Sequence, residues 1–348
     1  MNVMNEIAEE SRLFYKQTRI YVYIGLVFHT FNKKRGCLFL MKHLKKLAVI
    51  FIFFSILCFP EISIKGSKDG LLLWYDTVVP TLLPFIILSN TLISVDAISY
   101  FTYLFYPIYR IFPKLLDCLA SLLIIGFFCG YPMGAKMIDD FIATGKMTRT
   151  QGTFLLCICN NASPMFLTGY VVIATLKGAI PTSVFLFCIY CPVFLFFLVG
   201  IIRKPNLLQM PMTTSYPSKH PMIHDEMDIM TNSFFVILKI GGYMMLFSIL
   251  SRFLLLLPIS NYPTRAILLG LSEVTTGIRF LSLLTLPLNK KIALIGAAAA
   301  FGGFSSIAQT KSVLTQSKLS IFPYIISKFI FCITTYFLLY GYLLYCSS

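Results

Sequence analysis

The stretch Cys118-Leu-Ala-Ser-Leu-Leu-Ile-Ile-Gly-Phe-Phe-Cys-Gly130-Tyr-Pro-Met-Gly-Ala-Lys136 is an apolar run that breaks at Gly and Pro and resumes with a lysine. A break of this kind frees backbone N–H and C=O groups from the helix. In a lipid bilayer such groups are stable only where protein or water provides them with partners. The stretch therefore predicts a re-entrant hairpin, a helical segment that enters the membrane and turns back within it.

The remainder of the chain has the composition of a polytopic membrane protein. Of its 348 residues, 57% are apolar and 12% are charged, whereas soluble domains carry about 25% charged residues. The mean hydropathy is +0.80, far above that of a soluble domain. At about 20 residues per crossing, the sequence predicts an all-α membrane protein with about eight to ten membrane segments. It excludes an ordinary cytosolic globular protein.

The net charge of +15 fits a membrane surface better than a nucleic-acid partner. Cytoplasmic loops of membrane proteins are rich in Lys and Arg, and Lys42, Lys45 and Lys46 precede the first long apolar run. The pattern predicts a cytoplasmic location for this end, a lipid bilayer around the chain and no nucleic-acid partner.

The hydropathy divides the chain into five regions. They are an N-terminal extension (1–40) that reads as a mis-assigned start, a membrane anchor (41–69), a first repeat (70–202), a polar loop (203–228) and a second repeat (229–348). Within the first repeat, residues 99–112 predict an amphipathic helix at the membrane interface.

Two segments of the two repeats align without gaps. GYPMGAKMIDDFIATGKMT (130–148) and GGFSSIAQTKSVLTQSKLS (302–320) each follow an apolar run, break at Gly and resume as a predicted helix. The alignment predicts a second re-entrant hairpin at Gly302, and the number of crossings between the two predicts an inverted repeat. In transporters built this way, the solute site lies at broken helices near the bilayer midplane.

Polar residues at these breaks form the candidate translocation site. Asn160-Asn-Ala-Ser-Pro164 interrupts a further apolar run, where each polar side chain needs a hydrogen-bond partner. Asn and Ser side chains can bind a ligand and helix N-termini an anion; a polar packing notch between helices is the alternative. The candidate substrate-binding or translocation residues are Gly130, Tyr131, Pro132, Met133, Gly134, Lys136, Asn160, Asn161, Ser163, Pro164, Gly302, Gly303, Ser305, Ser306 and Gln309.

Several ionisable residues lie inside predicted membrane segments. At a helix centre facing lipid, each costs roughly 2.5–3.5 kcal/mol, so a central one should face the protein interior. Glu273 and Asp76 are therefore the candidate proton or cation site. Lys239, Arg252 and Lys328 lie near segment ends, where long side chains can reach water.

The sequence carries no pattern typical of an enzyme. The four histidines lie in loops or in the N-terminal extension, and neither H-E-x-x-H nor G-x-S-x-G occurs. The ten cysteines lie mostly in apolar runs, as small buried hydrophobes do. We therefore predict no catalytic residues, no cofactor and no metal site.

Five motifs carry a resemblance to a known family: Gly70-Leu-Leu-Leu-Trp74, Val79-Pro-Thr-Leu-Leu-Pro-Phe85, Gly130-Tyr-Pro-Met-Gly-Ala-Lys136, Asn160-Asn-Ala-Ser-Pro164 and Phe301-Gly-Gly-Phe304. From Met41 onward the chain resembles the YlbJ-type sporulation integral membrane proteins. These are nucleoside-recognition or Gate domain proteins, distantly similar to concentrative nucleoside transporters. The resemblance implies that both repeats are of the Gate type.

The resemblance also implies a function. It implies a transporter or channel of sporulating bacteria that moves dipicolinic acid, a small dianion, across the outer forespore membrane into the forespore, with Lys136 supplying positive charge. A transporter of nucleosides or another small solute and a non-transporting scaffold that uses the polar loop are the alternatives. The coupling ion and the oligomeric state stay open.

The N-terminal extension leads to a test of the translation start. Met41-Lys-His-Leu-Lys-Lys46 opens the region that carries the resemblance, and we expect translation to begin at Met41. Intact mass spectrometry of the protein made from its native gene should give the mass of residues 41–348. A mass matching the full 348 residues would contradict this expectation.

Overall fold

The structure is a computed structural model that describes residues 35–95, 119–208, 226–257, 259 and 261–347. Among these residues all regular secondary structure is helical, as the sequence predicts. The chain divides into two compact units, residues 1–60 and 61–348. In the first unit, helix α1 (Arg35–Cys58) runs through Met41 without a break, so the predicted anchor begins inside a helix.

The second unit is a bundle of helices with several breaks. In chain order these are α2 (Pro60–Leu73), a π-helical turn (Trp74–Val78), α3 (Val79–Ser94), α4 (Leu119–Cys129), α5 (Met133–Ala143), α6 (Arg149–Cys159), α7 (Pro164–Phe166) with a π-helical continuation (Leu167–Thr175), α8 (Thr182–Arg203), a short 3₁₀ turn (Pro205–Leu208), α9 (Glu226–Leu256), α10 (Tyr262–Ser272), α11 (Val274–Ser282), α12 (Leu288–Phe301), α13 (Gly303–Val313) and α14 (Phe322–Ser347).

Six helical segments in the described part of the chain are long and apolar enough to cross a membrane. They are Pro60–Leu92, Arg149–Thr175, Thr182–Arg203, Ile229–Leu256, Leu288–Val313 and Phe322–Cys346. The predicted membrane protein is thus supported, whereas the predicted count of eight to ten is not reached within these residues. The predicted interfacial helix at 99–112 and most of the polar loop at 203–228 lie outside them.

A first helical hairpin lies at the predicted break at Gly130, and its re-entrant placement in the membrane stays a prediction. Helices α4 and α5 pack against each other, and the chain turns between them at Gly130, whose φ of 68° is a left-handed conformation that glycine adopts without a steric penalty. Both arms press a glycine, Gly126 or Gly134, against the carbonyl oxygen of Cys159 at the end of α6. The hairpin therefore packs against the end of α6, where the next helix breaks.

A second helical hairpin lies elsewhere than predicted. Helices α10 and α11 pack side by side, with the backbones of Gly270 and Gly277 in direct contact, and the chain reverses at Glu273, which is extended. The predicted hairpin tip at Gly302 is not confirmed, because α12 and α13 are not among the helix pairs that pack extensively. Gly302 instead breaks one membrane-length helical segment.

The corrected assignment gives both halves of the bundle the same order of elements. A hairpin (α4–α5, then α10–α11) is followed by a broken helix (α6–α7, then α12–α13) and by a long unbroken helix (α8, then α14). The match at Gly130 and Gly302 therefore pairs a hairpin tip with a helix break. Both positions are left-handed glycines, which is why their sequences look alike.

The close glycine contact of the first hairpin leads to a stability prediction. A Cβ at Gly134 would collide with the Cys159 carbonyl, whereas a Cβ at Gly242, in α9, would meet nothing within 4 Å. We expect Gly134→Ala to lower stability by roughly 1–3 kcal/mol through overpacking, measured as thermal unfolding in detergent. Gly242→Ala is the matched control and should be neutral or slightly stabilising. Equal melting temperatures for the two variants would contradict the hairpin packing.

Candidate functional site

The four breaks of the bundle meet at one cavity of about 40 Å³. The first hairpin tip contributes Cys129 and Tyr131, and the break before α7 contributes Ala162, Ser163 and Phe166. The second hairpin tip contributes Glu273, Val274 and Thr275, and the break before α13 contributes Gly302, Ser305, Ser306 and Gln309. Val78, Leu82, Ile240 and Met244 form an apolar wall. Pockets that combine apolar walls with a few placed polar groups are typical of ligand sites.

Gln309 lines this cavity and has an unused polar atom. Its side-chain Nε2 donates to the Ser305 hydroxyl at 3.1 Å, while its Oε1 is buried and has no hydrogen-bond partner. Buried polar atoms in native proteins nearly always have partners. The free amide atom of Gln309 is therefore a position at which a bound water, ion or solute would complete the hydrogen bonding.

Three helix N-termini open onto the same cavity. Ser163 caps α7 by accepting a hydrogen bond from the Phe166 N–H at 3.3 Å, and Glu273 caps α11. The third, α13, begins after Gly302 and has no side-chain cap. Helix N-termini carry a partial positive charge, so the three ends together favour negative charge in the cavity.

Glu273 is a buried carboxylate, 2% exposed, that lines this cavity. Its Oε1 accepts from the Thr275 N–H at 3.2 Å and its Oε2 from the Thr276 N–H at 2.7 Å. The Thr275 hydroxyl also donates to Oε2. These three donors partly offset the cost of burying the charge, and they hold the carboxylate at the hairpin tip.

Asn160 joins three elements around the first break. Its Oδ1 accepts from the Ala135 N–H of α5 at 3.2 Å, and its Nδ2 donates to the Thr310 hydroxyl of α13 at 2.8 Å and to the Tyr324 hydroxyl of α14 at 3.0 Å. Tyr324 in turn donates to the Asn160 backbone carbonyl at 2.8 Å. Because its amide is fully used within the protein, Asn160 organises the break rather than lining the cavity.

Asn161 holds a buried lysine next to the break. The Lys328 ammonium of α14 donates to Asn161 Oδ1 at 2.8 Å and to the Ala300 carbonyl at 3.5 Å. Lys328 is 0% exposed, so the prediction that its side chain reaches water is wrong: it points into the bundle. Arg252 instead forms a half-exposed ion pair with Asp69.

Asp139 fastens the first hairpin to the connection between α13 and α14. Its carboxylate accepts from the backbone N–H groups of Thr315, Gln316 and Ser317 at 3.1, 3.0 and 2.8 Å, and from the Ser317 hydroxyl. Burial alone would raise the pKa of this carboxyl, but these hydrogen bonds outweigh burial and lower the pKa below its ordinary value.

The cavity collects seven of the predicted residues and leaves the others outside its lining. Tyr131, Ser163, Gly302, Ser305, Ser306, Gln309 and Glu273 line it; Gly130, Pro132, Met133, Gly134, Lys136, Asn160, Asn161, Pro164, Gly303 and Asp76 do not. Asp76 is exposed in the π-helical turn. Lys136 lies near Asp140, where burial raises the pKa of the Asp140 carboxyl and the Lys136 ammonium lowers it in part.

Sequence reasoning missed Lys328, Asp139 and Thr275. Asp139 lies in the helix that is predicted to resume after the Gly130 break, and in sequence it looks like a solvated helix residue. Thr275 looks like an ordinary residue at the start of a helix. Lys328 had one usable signal, since it lies seven residues inside a 26-residue apolar helix (Phe322–Ser347). Among the described residues no group of three or more His, Cys, Asp or Glu is arranged to hold a metal.

The chain is similar to a curated membrane protein of sporulation. It is 24% identical over 317 aligned residues to the sporulation integral membrane protein YlbJ of Bacillus subtilis (strain 168), with 80% of this chain and 77% of that protein covered. No protein-family model matches the chain, and no solved structure matches it. The similarity supports a membrane protein of sporulation, in agreement with the six apolar helices.

The Asp139 contacts lead to a prediction for stability and pH. Asp139→Asn should lower the free energy of unfolding by roughly 1.5–3 kcal/mol, as expected for hydrogen bonds to a charged group, seen as a lower melting temperature in detergent. Because its pKa is lowered on folding, the carboxylate stabilises the fold above its ordinary pKa of 3.8. That stabilisation is lost as the pH falls further, through the lowered pKa.

The neighbouring Asp140 provides the matched control. Asp140→Asn, one residue along the same helix, should leave the melting temperature near that of the wild type at pH 7. The difference between wild type and Asp139→Asn should shrink below pH 4. A difference that persists unchanged in acid would show that the charge of Asp139 is not the cause.

Proposed function

We propose that the protein is a membrane transporter or channel of sporulation that moves dipicolinic acid across the outer forespore membrane into the forespore. The single observation that carries the transport proposal is the convergence of two hairpin tips and two helix breaks on one polar cavity. Interrupted helices are stable inside a membrane only around a protein-lined or water-filled site, and in transporters such sites bind the solute.

An anionic solute suits the polarity of this cavity. The cap residues of α7, α11 and α13 line it, and only the α13 terminus among these three has no side-chain cap of its own. Backbone N–H groups at a helix N-terminus bind carboxylates and phosphates well. Dipicolinate carries two carboxylates, one on each side of its ring.

Glu273 sets a condition on binding an anion here. A carboxylate and a bound anion about 4 Å apart repel each other by about 4 kcal/mol at an effective dielectric constant of about 20. Either a proton or a cation at Glu273 removes this repulsion. We therefore propose Glu273 as the proton or cation site of the transport cycle, and we assign no such role to the exposed Asp76.

Passage of the solute requires the cavity to enlarge. A volume of about 40 Å³ holds only a few water molecules, whereas pockets for ring-sized ligands measure about 300–1,000 Å³. In this proposal the two hairpin tips, which line the cavity, move apart to admit the solute. The described conformation is in this proposal a closed state of the cycle.

The principal test is the dipicolinate content of spores from a strain that lacks the gene. We expect low spore dipicolinate, poor heat resistance and normal dipicolinate synthesis in the mother cell, restored by the gene expressed from Met41. Normal spore dipicolinate would contradict the proposed solute. A scaffold would instead require the loop at 203–228, so a loop deletion that abolishes function while cavity substitutions are tolerated would favour the scaffold.

A pair of glutamine variants tests the cavity itself. Gln309→Leu removes the free amide atom that faces the cavity, whereas Gln316→Leu changes an exposed glutamine and is the matched control. We expect at least a fivefold fall in spore dipicolinate for Gln309→Leu. The variant loses a hydrogen bond to the solute of about 1 kcal/mol, and leaving the solute group unpaired adds to that cost. Protein levels are followed by immunoblot. Equal spore dipicolinate in both strains would contradict a role of the cavity in dipicolinate transport.

A further inference from the structure

Lys328 is an ionisable group that the protein encloses completely. Its ammonium lies 5.3 Å from the centre of the Tyr324 ring and 5.8 Å from that of the Tyr131 ring, and it donates to Asn161 and to the Ala300 carbonyl. All of these neighbours are uncharged. The lysine is thus held by dipoles and ring faces, which stabilise a cation without neutralising it.

No carboxylate in the described part of the chain lies within salt-bridge distance of this ammonium. A buried charge is normally paired, since removing an ion from water is costly and a partner recovers part of that cost. Ionisable residues kept inside membrane bundles usually serve an ion or solute pathway. A buried lysine without a carboxylate partner therefore suits an anion that comes from outside the chain.

Tyr131 stands between this charge and the cavity. Tyr131 lines the cavity, and its ring lies against Lys328; a Cβ at Gly302 would lie 3.4 Å from the same ring. Its own backbone N–H donates to the Asn161 carbonyl at 3.0 Å. The lysine is outside the cavity lining and contacts it through Tyr131.

Electrostatics connect the two sides of this ring. Glu273 and Tyr131 line the same cavity, and Lys328 lies against the Tyr131 ring, so an acidic and a basic side chain lie near one aromatic residue. Charge interactions are weakly screened in a dry interior. The field of Lys328 thus extends into the cavity and opposes the field of Glu273.

We propose that Lys328 is the cation that makes the cavity select anionic, carboxylate-bearing solutes. The inference deepens the proposed transport function and rests on it. The lysine acts through its field, and through exposure when the first hairpin tip withdraws Tyr131. The prediction from sequence gave this role to Lys136, whose charge lies near Asp140 and outside the cavity lining.

The test is a selectivity ratio in vesicles that contain the purified full chain. Uptake of radiolabelled dipicolinate is compared with uptake of its neutral diamide, pyridine-2,6-dicarboxamide, which has the same ring and size. We expect the wild type to favour the dianion. Lys328→Gln keeps an N–H donor for Asn161 but removes the charge, and it should lower the ratio of the two rates at least tenfold.

Two further variants separate charge from structure. Lys328→Arg retains the positive charge and should keep most of the wild-type ratio, whereas a purely structural lysine would tolerate Arg no better than Gln. Lys239→Met removes an exposed lysine whose ammonium donates to the Ser312 carbonyl at 2.9 Å, and it should keep the wild-type ratio. If Lys328→Gln does not assemble, Lys328→Met is measured in its place.

The outcomes distinguish the two proposals. A wild type that carries dipicolinate, with an unchanged ratio in Lys328→Gln, would overturn the role of Lys328 and leave the transport proposal standing. A wild type that carries neither compound would overturn the transport proposal and the inference with it. A tenfold loss of the ratio that Lys328→Arg restores would establish the inference.

Discussion

The structure depends on how a helix can be broken inside an apolar bundle. Each break frees backbone N–H and C=O groups that lipid cannot satisfy, so the protein must supply partners. At the first broken helix Asn160 does this with one side chain that reaches α5, α13 and α14. A single amide therefore holds together the hairpin, the second broken helix and the last helix of the chain.

Close backbone packing complements these hydrogen bonds. Gly126 and Gly134 place both arms of the first hairpin on the Cys159 carbonyl, and Gly270 and Gly277 bring the arms of the second hairpin together. Small residues permit such approach between membrane helices, where no hydrophobic force drives association. The hairpin tips thereby reach the breaks, and the cavity forms where they meet.

Two ionisable side chains lie near the cavity, one in its lining and one outside the lining. Glu273 lies in its lining, held by the start of its own helix, while Lys328 lies behind the lining and is held by Asn161. Helix N-termini add partial positive charge without any ionised side chain. The arrangement suits a site that must accept an anion and release it again, because no Lys or Arg is among the described residues that line the cavity.

The sequence by itself determined the class of protein and the places where its helices break. Uncharged apolar runs can be stable only in lipid, and Gly130, Asn160 and Gly302 interrupt those runs wherever they lie in space. These are local properties of the chain, so the helical fold, the breaks and seven cavity residues could be predicted. The tip at Glu273 could not, because an extended glutamate between two apolar segments resembles a membrane carboxylate in a continuous helix.

Only the tertiary structure decided which breaks are hairpin tips and where each charge lies. Two left-handed glycines look alike in sequence, yet α5 folds back beside α4 and α13 does not fold back beside α12. Lys328 and Lys136 are both lysines in apolar surroundings, but packing buries the first against Tyr131 and places the second near Asp140. Whether a long side chain reaches water or the interior depends on neighbours distant in the chain, and these are defined only when the helices pack.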